Sequence, residues 1–422
     1  TAYEMLRSLV GSEMCIRERN KMERRNFLKL AATASIASII PSMAFANNIY
    51  GDQKTKNELA YHKIKDIKFK VAQLKYPRLV GKNSRLGHHG TGPNLTFCIL
   101  TTDKGAEGIG LMNGNRKTAE SLFPTIKGKS VADLFAPTIG TLNEENYIFD
   151  ICLHDLAGVI LNKPVYALIS GNDRPILTSC YSGMIYFDEM DPIENPAGLN
   201  KILENCLYDY NYGYRQFKVK IGRGGKWMAK DEGLKTDIAV TKLIYDNFPD
   251  CDILVDGNDA FTFDYFIEYL KGIENIPLFW IEEPFRETYE DYTKLKEWCL
   301  KNGRRNTLLG DGEANPDREL NFKLGEKQLL DVYLEDVLGY GFTRWRKLMP
   351  QLKNIGMMAS PHSWGDAIKT CYSSHLAAAY GNVPTIEGVT CFSTDVDTSS
   401  YKLERGRLTP NITPGFGIRF IS

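Results

Sequence analysis

Residues 217–222 read "FKVKIG". Alternate positions of a strand share a face, so Phe217, Val219 and Ile221 form one apolar side, and Lys218 and Lys220 point together to the other. Two like charges on one face of a buried-looking strand admit two readings. Either the strand lies at an exposed edge, or the ammonium groups serve a site. The surrounding sequence decides between them.

Working outward, eight apolar strand-like runs recur: "ILTSCYSGMIY", "RQFKVKIG", "DILVDGN", "PLFWIEEP", "TLLGDGE", "DVYLED", "GMMASPHS" and "PTIEGV". Most are separated by stretches of helical period, such as "AVTKLIYDNFP" and "YFIEYLKGI". Repeated strand–helix alternation predicts an α/β barrel of the (β/α)8, TIM-like type over 173–395, a length such a barrel fills. Before it, "IKFKVAQLKY" (67–76) and "NLTFCILTTDKGAEGIGLM" (94–112) read as a strand and a hairpin. Between them "PRLVGKNSRLGHHGTGP" is a loop rich in Gly, His and Arg. The run "IFDICLHDLAGVILNKPVYALI" (148–169) carries helical periodicity and ends at Asn162-Lys163-Pro164. Strands followed by helices predict an N-terminal α+β domain over 65–172. Residues 47–64 are polar and read as a tail, and 396–422 is expected to return to the first domain.

From Met22 the chain runs "MERRNFLKLAATASIASIIPSMAFA": a twin arginine, an apolar stretch and an A-x-A close. This order predicts a twin-arginine export signal over 22–46 and a periplasmic mature protein. Its apolar stretch is too short to span a bilayer. Residues 1–21 precede that start and are read as upstream translated sequence outside the fold. Hydrophobic content of 43% and charged content of 25% are those of a globular protein, and the net charge of +0 offers nothing to nucleic acid or an anionic membrane. Nine cysteines without a CxxC pair, mostly within apolar runs, are read as buried thiols.

In barrels of this type the working residues lie at the C-terminal ends of the strands. Here those ends carry Lys220, Asp256, Glu282, Glu313, Asp336, His362 and Glu387, spaced 23 to 36 residues apart, about one βα unit each. They would converge in one ring. Asp256, Glu282 and Glu313, on three consecutive strands, repel one another unless a cation lies between them. An all-oxygen set of this kind favours Mg²⁺. For any one acid alone, capping of the next helix is the simpler account. Lysines near the mouth lower each other's pKa, and a neutral lysine is a base. Asp336 one unit before His362 would fix the imidazole tautomer and raise its basicity.

Taken together, K-x-K, V-D-x-N, W-I-E-E-P, G-E, an Asp ahead of x-x-x-G-x-T, and P-H-S resemble the enolase superfamily, in its mandelate racemase/muconate lactonizing subgroup. The stretch "FDICLHDLAGVILNKPVYALISG" is similar to the segment leading from that family's capping domain into its barrel. The resemblance covers about 65–420. It implies a modified (β/α)8 barrel under an α+β cap, with Mg²⁺ held by Asp256, Glu282 and Glu313. Lys220, with Lys218 beside it, would be one base, and His362 with Asp336 the opposed acid/base. Glu387 and Asn258 would face the substrate. A cap loop carrying Arg78, Arg85, His88 and His89 would close over it. Two departures stand out: the insertion "RGGKWMAKDEGLK" after the lysine strand, and Trp364 close behind His362. Both would reshape the pocket, and Trp364 is counted with Arg85 and His88 among candidate substrate contacts.

The family's shared step, removal of a proton α to a carboxylate, explains the paired lysines. The expected reaction is dehydration of a sugar acid, an aldonate or aldarate, to a 2-keto-3-deoxy acid. The alternative is racemisation or epimerisation of a 2-hydroxy acid or related carboxylate. Two remoter readings are a glycoside hydrolase using Glu282 and Glu313 and a metal-free binding module. The expected partner is a small carboxylate, with no nucleic acid and no membrane. Family relatives are often oligomeric, which leaves a homo-oligomer open.

Overall fold

The computed structural model describes residues 49–190 and 195–421. The readings of 1–21 and 22–46 lie outside these residues. The stretch read as a polar tail contains a helix, Gln53–Tyr61, capped by Asp52, whose side chain accepts the Thr55 N–H. Only Leu59 on it is buried. One buried position in nine leaves no apolar period to read, which is why the sequence hid this helix.

Three strands follow, β1 (Ile64–Gln73), β2 (Asn94–Thr102) and β3 (Glu107–Leu111), forming an antiparallel meander in that order. The predicted Thr-Asp-Lys-Gly turn joins β2 to β3, with Gly105 at φ 84°, a left-handed conformation that suits glycine. Helix α1 (Asp150–Ile160) lies on β3, where Gly108 and Gly110 leave no room for a Cβ. Asp155 of α1 is fully buried and accepts the N–H groups of Ile109 at 2.9 Å and Phe416 at 2.6 Å. It also pairs with Arg419 at 3.3 Å. The final segment is thereby held on the cap, with the Phe420 ring 5.4 Å from that of Phe97.

The barrel strands are β4 (Thr178–Ile185), β5 (Gln216–Lys220), β6 (Asp252–Asp256), β7 (Leu278–Glu282), β8 (Leu308–Asp311), β9 (Val332–Tyr333), β10 (Met358–Ala359) and β11 (Thr385–Gly388). Strands β4 to β10 pair in sequence order, all parallel, and β11 pairs with β4. The β10–β11 seam is spanned by Ala359 N–H donating to the Asn382 carbonyl at 2.9 Å. A hairpin, Lys402–Glu404 with Arg407–Thr409, adds antiparallel to the start of β4. Seven helices of nine to eighteen residues, from Leu199–Tyr212 to Ala367–Tyr380, separate the strands.

The period-2 alternation sorts each strand's side chains. Phe217, Val219, Ile253 and Val255 face the helices within the large core. Tyr181, Leu254, Trp280, Val332 and Leu334 form a separate cluster that plugs the barrel. Lys218 has its Nζ 5.4 Å from the centre of the Tyr181 ring, against that plug, and Lys220 lies one layer higher, level with Asp256 in the β5–β6 register. The edge-strand reading of "FKVKIG" therefore fails: β5 lies between two neighbours, and both lysines are buried. Among the described residues no helix is long and apolar enough to cross a membrane. The eight cysteines among them are free, and all but Cys391 are buried.

Candidate active site

Strand register builds the acidic centre. Lys220 pairs with Asp256 and Asp256 with Glu282, so these three end their strands at one level. Glu313 follows two residues after β8. Oxygens of Asp256, Glu282 and Glu313 all lie within 4.8 Å of one another. Glu313 is set in place by Glu283, whose Oε1 accepts the N–H groups of Glu313 and Ala314 at 3.0 and 3.2 Å. Glu283 adopts φ 39°, and Asn258 and Asp259 adopt 43° and 56°. Left-handed backbone at a residue such as Glu283 costs about 1–2 kcal/mol, and such strain concentrates where side chains must be aimed.

The triad fits a divalent cation. Glu282 Oε2 and Glu313 Oε2 are buried without a hydrogen-bond partner among the described residues. Burial and the neighbouring Asp256 push the Glu282 pKa well up, as expected of carboxylates crowded without a cation between them. All the donors are hard oxygens, the set that suits Mg²⁺.

The lysines are integrated into this ring. Lys218 Nζ lies 2.9 Å from Glu282 Oε1, 2.9 Å from Glu387 Oε1 and 3.2 Å from Asp256 Oδ2. Lys220 Nζ pairs with Asp256 and donates to Asn258 Oδ1 at 3.1 Å. The expected mutual lowering is only part of the balance. Burial pulls Lys220 down most, Asp256 pulls it up and Lys218 pulls it down; Glu313 and Glu282 add to the rise, which wins. With no cation between the carboxylates, Lys220 is ion-paired with Asp256.

His362 stands at the end of β10. Its Nδ1 faces Asp336 Oδ2 at 3.3 Å, so Nδ1 carries the proton, a carboxylate being able only to accept. Nε2 lies 3.3 Å from Glu313 Oε1 and 3.5 Å from Glu387 Oε2. Burial works against the imidazolium, but Glu313, Glu387 and Asp336 outweigh it and raise the His362 pKa. Asp336 is fixed by the Leu338 and Gly339 N–H groups on Oδ1, at 3.0 and 2.7 Å, and by Lys369 Nζ on Oδ2, at 2.8 Å. Glu387 accepts the Ser363 N–H at 2.9 Å. Burial tends to raise its pKa, but Lys218 and His362 hold it at about 2.

The cap residues divide. Arg78 is tied to Asp209 at 2.8 and 2.9 Å and to the Met184 carbonyl at 2.9 Å, a structural link between cap and barrel. Arg85 donates to the Asn258 carbonyl at 2.6 Å and pairs with Asp259, so its guanidinium binds the barrel rather than standing free for a ligand. His88 is exposed, whereas His89 turns inward against Tyr186 and Trp364, with ring centres 4.6 and 5.4 Å apart. Trp364 also meets Tyr186 at 4.8 Å and stacks on Tyr76 at 5.7 Å, forming an aromatic wall beside His362.

Sequence reasoning missed Tyr186, whose ring centre lies 5.5 Å from Lys220 Nζ, along with Lys369 and the role of Glu283. Tyr186 follows directly on β4, so the strand-end rule could have found it. Lys369 acts from a helix three residues beyond the cap Asp366, and its direction depends on how that helix packs.

A plugged barrel with carboxylates at its mouth, a lysine and a histidine on different strands beside them and an α+β cap above defines a capped-barrel enzyme of acid–base chemistry. The chain belongs to the Enolase C-terminal domain-like family, whose model matches residues 202–421. A Geobacillus sp. galacturonate dehydratase, solved with D-galacturonate and 5-keto-4-deoxy-D-galacturonate, is 30% identical; the match covers 86% of this chain and 95% of that one, with a TM-score of 0.79. A mandelate racemase/muconate lactonizing protein from Geobacillus sp. Y412MC10, complexed with magnesium and tartrate, is also 30% identical, covering 89% and 95% with a TM-score of 0.81. Arabinonate dehydratase of Saccharolobus solfataricus is 26% identical over 64% of this chain and 67% of its own.

Proposed function

We propose that the protein is an Mg²⁺-dependent hydro-lyase that removes the proton α to the carboxylate of a sugar acid and expels the β-hydroxyl as water. The observation that carries this reading is the placement of Lys220 on β5 and His362 after β10, both flanking the Asp256–Glu282–Glu313 triad. The Lys220 amine, in its neutral form, takes the α-proton, and the C–H electron pair passes into an enediolate. The β C–O bond then breaks, its oxygen taking a proton from His362 Nε2, which lies beside the triad at Glu313. The enol tautomerises to a keto-deoxy acid. Mg²⁺ held by Asp256, Glu282 and Glu313 would supply positive charge where negative charge develops and would offset the carboxylates that otherwise hold Lys220 as an ion pair. Asp336 keeps the His362 tautomer, and Glu387 is held in place beside it by Lys218 and the Ser363 N–H.

The relatives support this reading. The two ligands of the Geobacillus galacturonate dehydratase differ by one water, lost across the carbons α and β to a carboxylate. Arabinonate and xylonate dehydratases also resemble the chain. Two epimerases match as well, at 26% and 23% identity, so the racemase or epimerase reading is kept as the alternative outcome. The order of residues 22–46 supports a periplasmic site of action; fractionation that finds the mature protein in the cytosol overturns that part.

The test is proton NMR in D₂O with Mg²⁺ on a panel of aldonic, aldaric and uronic acids. A keto-deoxy product with deuterium at the former β-carbon is expected. Deuterium at the α-carbon with the hydroxyl retained gives the racemase or epimerase reading instead. Lys220→Ala and His362→Asn should each lower turnover by about 10²–10⁴, the usual worth of a general acid or base. A near-native rate in either variant removes the assigned role.

A further inference from the structure

The insertion after β5 remains unexplained by the reaction itself. It passes through a short turn, Arg223–Gly225, into helix Lys230–Asn247. Its Lys226-Trp227 pair reaches the cap. Trp227 Nε1 donates to the Asn83 carbonyl at 2.7 Å, and Lys226 Nζ donates to the Arg85 carbonyl at 2.8 Å. From the cap side Lys82 places its Nζ 4.6 Å from the centre of the Trp227 ring, a distance at which an ammonium is attracted to an indole face.

These contacts bear on a hairpin whose stem is the Val80–Gly90 bridge. Its tip crosses the barrel mouth. Ser84 Oγ donates to the Gly257 carbonyl at 3.0 Å, and Arg85 Nε donates to the Asn258 carbonyl at 2.6 Å. Gly222, at φ 99°, lets this happen: a Cβ there would lie 3.0 Å from the Ser84 Cβ. Asn258 is itself left-handed, and its Oδ1 accepts from Lys220 Nζ at 3.1 Å. A continuous set of contacts therefore runs from Trp227 and Lys226 through Asn83 and Arg85 to Asn258 and Lys220.

We infer that Trp227 and Lys226 are positioning residues: they clasp the cap hairpin 80–90 across the barrel mouth and, through Arg85 and Asn258, set where the Lys220 ammonium lies. The link to Lys220 rests on the proposed reading of that residue as the base; the clasp does not. Neither residue touches the reacting atoms. Lys226 is exposed, so removing its ammonium leaves the core intact. Trp227→Phe keeps an aromatic face for Lys82 but removes the indole N–H together with one ring of the bicycle, so the urea midpoint is read alongside the exchange.

The experiment compares the full chain with Trp227→Phe and Lys226→Met by hydrogen–deuterium exchange of peptides spanning 80–90, urea unfolding and steady-state kinetics on the acid turned over in the NMR panel. Exchange in the hairpin is expected to rise about tenfold in Trp227→Phe, corresponding to about 1.4 kcal/mol of local opening, and several-fold in Lys226→Met. Urea midpoints stay at the native value, and kcat falls about tenfold. Unchanged hairpin exchange in both variants overturns the clasp, whatever the substrate proves to be. Faster exchange with native kcat overturns the link to Lys220. A lowered urea midpoint with native kcat for the folded fraction assigns the pair a structural role and overturns the inference. A native chain silent on the whole panel fails the reaction reading and takes the Lys220 link with it, while the exchange arm still decides the clasp.

Discussion

His375 offers a measurable pH dependence whose size the structure sets. It lies in helix Ala367–Tyr380 with no solvent exposure. The Tyr166 backbone N–H points at its Nδ1 from 3.1 Å, so Nδ1 must accept. Nε2 then carries the proton and donates to the Tyr401 hydroxyl at 2.9 Å, which donates in turn to the Phe416 carbonyl. Both ring nitrogens are committed to the neutral form, and burial holds the pKa down to about 3. The unfolded chain titrates near the ordinary value of about 6.5. Between these values the unfolded state binds the proton and the folded state does not, so stability falls as pH falls. The loss is about 1.4 kcal/mol per unit once below the upper value, or about 2 kcal/mol between pH 7 and pH 5. Glutamine can take over both contacts, with its oxygen toward Tyr166 and its amide toward Tyr401, and does not titrate. The assay is urea unfolding of the native chain and His375→Gln at pH 7, 6 and 5, followed by tryptophan fluorescence. The variant is expected to gain about 2 kcal/mol on the native chain across that range. Other groups titrate in both proteins and cancel in the difference. Parallel stability curves, with a constant gap from pH 7 to pH 5, would refute the buried neutral assignment.

Three further outcomes follow from particular contacts. Gly183→Ala places a Cβ 2.8 Å from Glu387 Cγ, and Glu387 cannot yield without leaving Lys218 or the Ser363 N–H; kcat/KM should drop about a hundredfold, the cost of a misplaced site group, and native kinetics would show that Glu387 does not act in place. Asp155→Ala strands two buried N–H groups, at about 1–3 kcal/mol each, while the half-exposed Arg419 pair adds little; urea unfolding should show a loss of about 2–6 kcal/mol, and a loss below about 1 kcal/mol contradicts the account. Excess chelator should abolish turnover and Mg²⁺ restore it; full activity in chelator removes the metal from the triad.

Much of the site was legible before any coordinates because barrel geometry turns sequence spacing into spatial convergence. Strand ends about one βα unit apart bring Asp256, Glu282, Glu313, Asp336, His362 and Glu387 to one rim without knowledge of a single contact. The α+β cap was legible from its hairpin and helix periods. The helix Gln53–Tyr61 was not, because it buries one residue. His88 and His89 are adjacent in the chain and equal in chemistry; the hairpin's Val80–Gly90 bridge decided that His89 faces the aromatic wall.

The ion pair of Lys220 with Asp256 was beyond the sequence too, because burial, one lysine and several carboxylates act on it together through distances that spacing does not reveal. The clasp of Lys226 and Trp227 on the hairpin, and the grip of Lys369 on Asp336, join segments far apart in the chain. Sequence by itself determined what repeats with a period: strands, helices, and the residue types at each strand's end. The tertiary structure decided whatever depends on how unlike segments meet, since distances across packed elements follow no period that a sequence can display.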